Sequence, residues 1–109
     1  MSADYWLEID AGGPEPIRLT DPSINVTYNL GPMLREARFP DWHALIGAPA
    51  SETGGMLRSV AARLRADPER FRALTPPNGW GTYEGAIEFL DRFAAECAAA
   101  PKATIGGWL

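Results

Sequence analysis

Chemistry in this chain would have to come from a short list of side chains. Glu84 and Glu88 stand one helical turn apart, a spacing at which two carboxylates can share a proton or a metal ion. The simpler reading is solvating charge on an exposed helix face, with Glu88 pairing to Arg92 four residues on. A small hydrolase built on Glu84 or Glu88 is therefore the weakest of the readings considered. His43 is the only histidine, so no histidine-based metal cluster is available, and no Ser or Cys nucleophile neighbours it in sequence. The single cysteine, Cys97, excludes an intrachain disulfide and a Cys-rich metal site, and its place on an apolar helical stripe makes it a small buried hydrophobe. There is no HExxH, no GxxxxGK[ST], and no GxGxxG opening a helix. The expected protein is not an enzyme and uses no cofactor or metal.

What remains is suited to binding. Thr75-Pro-Pro-Asn-Gly-Trp-Gly-Thr-Tyr-Glu-Gly85 is a rigid turn: Pro76 and Pro77 fix two φ angles, Asn78-Gly79 turns the chain, and Gly81 permits close backbone approach. It presents Trp80, and Thr82 then caps a helix that starts at Tyr83. A second loop-to-helix start carries Thr27, Tyr28, Asn29 and Met33. Capping is the commoner role of Thr27 and Asn29, as core packing is for Trp80 and Tyr83 and turn formation for Asn78. Taken together, the two starts offer aromatic faces for stacking, polar groups for base edges, and unpaired N–H groups with partial positive charge for an anion. The expected ligand is small, anionic and nucleotide-like.

Composition limits the partners. Net charge is −4, and nine of the ten basic residues are arginines scattered without a basic run, which excludes the concentrated positive face of a duplex nucleic-acid binder. The arginine bias still suits a small phosphate or carboxylate. No stretch approaches the ~20 apolar residues of a membrane span, and the N-terminus lacks a basic region followed by an apolar one; no membrane partner and a cytoplasmic location are expected.

The elements that must position these residues follow from periodicity. With 109 residues, one globular domain over 1–109 is expected. Tyr5–Asp10 alternates as a strand with Tyr5, Leu7 and Ile9 on one face, and Ile17–Thr20 pairs with it as a hairpin with a long connection. Residues 23–34 pass from β-type residues into a helix that includes Met33 to Arg38. A short helix follows, capped by Asp41 and stopped by Gly47, with Trp42, Leu45 and Ile46 inward. From the cap signal at Ser51, a helix of about four turns buries Met56, Leu57, Val60, Ala61 and Leu64 and solvates Arg58, Arg63 and Arg65. Asp67-Pro68 starts a short helix through Phe71 and Leu74. The stripe Tyr83, Ile87, Leu90, Ala94 and Cys97, widened by Phe89 and Phe93, marks the last helix, stopped by Pro101. Residues 103–109 form a terminal strand that pairs with the first. The expected class is α+β: a small antiparallel sheet, N-terminal hairpin plus C-terminal strand, covered by about three to five helices.

Three segments, Thr27-Tyr-Asn-Leu-Gly-Pro-Met33, Asp67-Pro-Glu-Arg-Phe71 and Pro76-Pro-Asn-Gly-Trp-Gly-Thr-Tyr-Glu-Gly85, resemble a family of small bacteriophage and actinobacterial proteins, and the similarity spans nearly the whole chain. That family supplies a pattern without an assigned activity. By analogy, the chain looks compatible with phage sponges, which sequester the cyclic-nucleotide signals of anti-phage defence such as CBASS without turning them over. The resemblance implies a homo-oligomer in the host cytoplasm, with Arg35 or Arg38 meeting phosphate. The alternative is a protein-interaction module using Trp80, Trp42 and Trp108 as an apolar patch.

Overall fold

A computed structural model describes residues 1–109. The sheet is organised by β1 (Ser2–Ile9), which has partners along both edges. Ala3, Tyr5 and Leu7 alternate inward and are fully buried, so the period-two pattern fixes which face meets the helices. One edge is paired along most of its length by β4 (Thr104–Trp108), antiparallel, from Asp4↔Trp108 to Glu8↔Thr104. The other edge is shared. β2 (Ile17–Arg18) pairs Glu8 and Ile9, while β3 (Ile24–Thr27) pairs residues 2 to 5. Between these strands Leu19 N–H donates to the Leu7 carbonyl and Thr20 Oγ1 accepts from Leu7 N–H, both at 2.7 Å. The arm from Ile17 to Thr27 therefore follows β1 almost without a break.

The α+β class is as expected, but the sheet has four antiparallel strands, β3 being a strand in its own right. Ile24 and Val26 face inward and Asn25 outward, an alternation too short to stand apart from the helix start that follows. The first strand also begins at Ser2 rather than Tyr5.

The helices pack on the inner face. α1 (Gly31–Glu36) carries Pro32 in its first turn, as expected, but stops two residues short of Arg38. Its end is set by Arg38, whose φ of 69° reverses the chain so that Phe39 N–H reaches the Leu34 carbonyl at 2.8 Å. α2 (Ala50–Ala66) begins one residue before Ser51; Pro49 precedes it, and no side chain caps it. α3 (Pro68–Arg72) follows directly. α4 (Tyr83–Ala99) is capped by Thr82, whose Oγ1 accepts from Gly85 N–H at 2.9 Å. α2 and α4 run antiparallel: Gly54 opposes Cys97, and the Leu64 carbonyl meets the Tyr83 hydroxyl. Their buried stripes join the strands in one core around Tyr5, Phe89 and Phe93, with Tyr5 and Phe93 ring centroids 5.1 Å apart. Each such ring removed from water contributes ~1.5–3 kcal/mol.

Two further expectations are corrected. Ile46 is 42% exposed rather than inward, because residues 47 and 48 leave the short 3-10 turn Trp42–Leu45 to bond Ile105 along the free edge of β4. Arg92 donates to the Pro22 and Ser23 carbonyls instead of pairing with Glu88, tying α4 to the entry of β3.

Candidate functional site

The turn between α3 and α4 is built by its own side chains. Asn78 Oδ1 accepts from Trp80 N–H at 3.0 Å, a local bond that holds the turn while Gly79 and Gly81 take positive φ. The same Asn78 donates through Nδ2 to Asn29 Oδ1 at 3.2 Å, 49 residues away in the chain. Asn29 in turn donates Nδ2 to Thr27 Oγ1 at 2.9 Å, and Thr27 also caps the 3-10 turn Tyr28–Leu30 that leads into α1. A single chain of polar contacts thus joins the two helix starts. Apolar contact reinforces it: a Cβ on Gly81 would lie 2.8 Å from Leu30 Cγ and 3.1 Å from Thr27 Cγ2, so only glycine fits, and its φ of 129° adds to that requirement.

Trp80 rides on this junction with 68% of its surface exposed. Large aromatics are normally drawn into the core, so an indole left in water on a turn tied at several points is an informative placement. At the other helix start, the half-buried Tyr28 sets its ring 5.4 Å from Trp42, which meets Phe39 at the same centroid distance, both pairs tilted. Arg35 folds back over Gly31, where a Cβ would lie 2.8 Å from its Nη1. Trp80, Asn78, Asn29 and Thr27 combine a stacking face with amide and hydroxyl groups, while the Arg35 guanidinium, over Gly31, lines a small cavity of about 40 Å³ with Leu34, Phe39, Pro40, Asp41 and Trp42.

Three of the residues expected there lie elsewhere. Met33 is completely buried in the core and offers nothing to a ligand arriving from solvent. Tyr83 is 6% exposed; its hydroxyl donates to the Leu64 carbonyl at 2.7 Å and its ring lies under the Arg72 guanidinium, 4.8 Å from the centroid. Its membership of the helical stripe takes precedence over its closeness to Trp80. Arg38 lines a different cavity, of about 320 Å³, with Glu36, Arg63, Ala66, Asp67, Arg70 and Phe71.

The remaining candidates for chemistry are also placed. Glu84 binds Arg72 at 2.8 Å and Glu88 is exposed. His43 is exposed and 3.5 Å from Asp41, whose side chain caps the 3-10 turn. No three His, Cys, Asp or Glu side chains gather into a group able to hold a metal. Burial pushes the Cys97 thiol up to about 11, as an inert core cysteine requires. The Tyr5 phenol is raised well above its usual range, first by burial and then by Tyr28 and Asp41, and its hydroxyl donates to the Trp42 carbonyl at 2.6 Å.

Sequence reasoning missed two arrangements. Trp6 lies across Gly106 on the outer face of the sheet with the Arg18 guanidinium 3.6 Å from its ring centroid. The register Trp6↔Gly106 would have revealed it, but only once the strand pairing was known. The arginines of the Arg38 cavity come from the turn after α1, from α2 and from α3, and carry no shared spacing. No helix is long and apolar enough to cross a membrane. Comparison with protein-family models, with curated proteins and with solved structures finds no match.

Proposed function

We propose that this protein is a non-catalytic binder of a nucleotide-type anion, and that it acts by sequestering such a signal, as phage sponges sequester cyclic nucleotides. The observation that carries the reading is the Thr27–Asn29–Asn78–Trp80 chain of contacts, which holds the turn that carries an exposed indole at the meeting point of two helix starts. A base stacks on Trp80. Asn78, Asn29 and Thr27 exchange hydrogen bonds with its polar edge, and Arg35 meets phosphate. Stacking on one such ring contributes ~1–3 kcal/mol per base. The surface is open, so tight capture requires a second covering face, and in this reading a second copy of the chain supplies it.

A second reading is favoured by Trp108, 76% exposed at the end of β4, and by the openness of the surface around Trp80. In it, the two tryptophans dock a protein partner. Trp42 takes no part, since it is half-buried between Tyr28 and Phe39.

Native mass spectrometry of the protein with a panel of cyclic di- and trinucleotides separates these readings. An intact nucleotide retained at fixed ratio to an oligomer is the expected result. Failure of every nucleotide to bind would remove the ligand reading and leave protein docking.

A further inference from the structure

The cavity around Arg38 is separate from the Trp80 surface and has its own chemistry. Arg38 occupies the left-handed position that ends α1, a place usually given to glycine because any side chain there strains the backbone. Its exposed guanidinium enters none of the molecule's ion pairs. Two more arginines line the same cavity. Arg63, from α2, is anchored by donating to the Ala37 carbonyl at 3.1 Å, and Arg70, from α3, is paired with Glu36. Three guanidinium groups from three segments thus surround about 320 Å³, two held in place and one without a partner. Glu36 and Asp67 are the acidic residues of the lining, leaving one positive charge in excess.

We infer that this cavity is a second anion site, which takes a phosphate dianion, free or as the end of a phosphate monoester, on Arg38 and Arg63. A guanidinium binds such a group through two parallel N–H donors, which a cavity with an unpaired, strained arginine is arranged to supply. Asp67 opposes the ligand from the rim. Its side chain caps nothing in α3, so removing its charge strengthens binding without loosening the helix.

The test is calorimetric titration at constant ionic strength with inorganic phosphate in one arm and methyl phosphate in the other. Binding is expected in at least one arm; the tighter arm tells whether the site receives a free ion or a monoester. Arg38→Gly removes the guanidinium and the backbone strain together. It should melt a few degrees higher than the parent while binding phosphate about tenfold more weakly or worse, the effect of losing a charge-assisted hydrogen bond. Asp67→Asn should bind more tightly, and Lys102→Ala, which removes an exposed charge outside the lining, should bind as the parent does. Absence of binding in both arms, or an Arg38→Gly protein that binds with the parent's affinity, would overturn the assignment.

Discussion

At the scale of single residues, Trp80 and Gly81 are neighbours with opposite duties. Trp80 touches little of the protein, so Trp80→Ala should change stability by no more than about 0.5 kcal/mol in urea unfolding, as surface substitutions do. Gly81 sits where Leu30 and Thr27 leave no room for a Cβ and where φ is 129°. Gly81→Ala should therefore destabilise by about 1–3 kcal/mol, with circular dichroism of the folded protein otherwise unchanged. A Trp80→Ala protein that unfolds like Gly81→Ala would mean that the indole is part of the core. Asn78 falls between the two, because it serves both its own turn and Asn29.

At the scale of elements, the junction depends on α4 starting at a defined residue. Thr82→Ala removes the bond to Gly85 N–H and should cost ~1 kcal/mol by the same unfolding measurement. α2 and α4 approach closely where Gly54 meets Cys97, a Cβ at 54 lying 3.2 Å from the cysteine Cβ. Gly54→Val overfills that contact and should destabilise by about 1–3 kcal/mol. Much of this layer was legible in the amino-acid sequence. The stripe from Tyr83 to Cys97 and the Thr82 cap follow from local periodicity and turn chemistry, whereas the pairing of the terminal strand with the first is a long-range contact that neither encodes. β3 was not legible as a strand, because four residues ending in a cap carry too little alternation. The site was legible only as two separate turns. The inward turn of Tyr83 toward α2 follows the helical stripe it heads, whereas the burial of Met33, in a helix of only six residues, was decided by packing that no spacing in the chain encodes.

For the whole molecule, the buried thiol and phenol make stability depend on alkaline pH. Cys97 titrates near 9 when exposed and is raised to about 11 by burial, so between these values the unfolded chain has lost a proton that the folded chain keeps. Unfolding then becomes easier as pH rises from 9 to about 11, and the Tyr5 phenol, also raised by burial, extends the decline upward. The urea midpoint should fall across this range, and Cys97→Ala should flatten its lower part. At neutral pH the thiol should react slowly with a disulfide reagent unless urea is present.

Presentation of Trp80 to a nucleotide-type ligand at the junction of the two helix starts, the proposal made above, is tested most directly by binding. Calorimetric titration of the parent, Trp80→Phe and Trp80→Ala proteins with the nucleotide retained best from the cyclic-nucleotide panel is the decisive measurement. The account predicts that Phe keeps most of the affinity while Ala loses about ten- to a hundredfold, all three proteins remaining equally folded. Equal affinity in the parent and in a folded Trp80→Ala protein would contradict it.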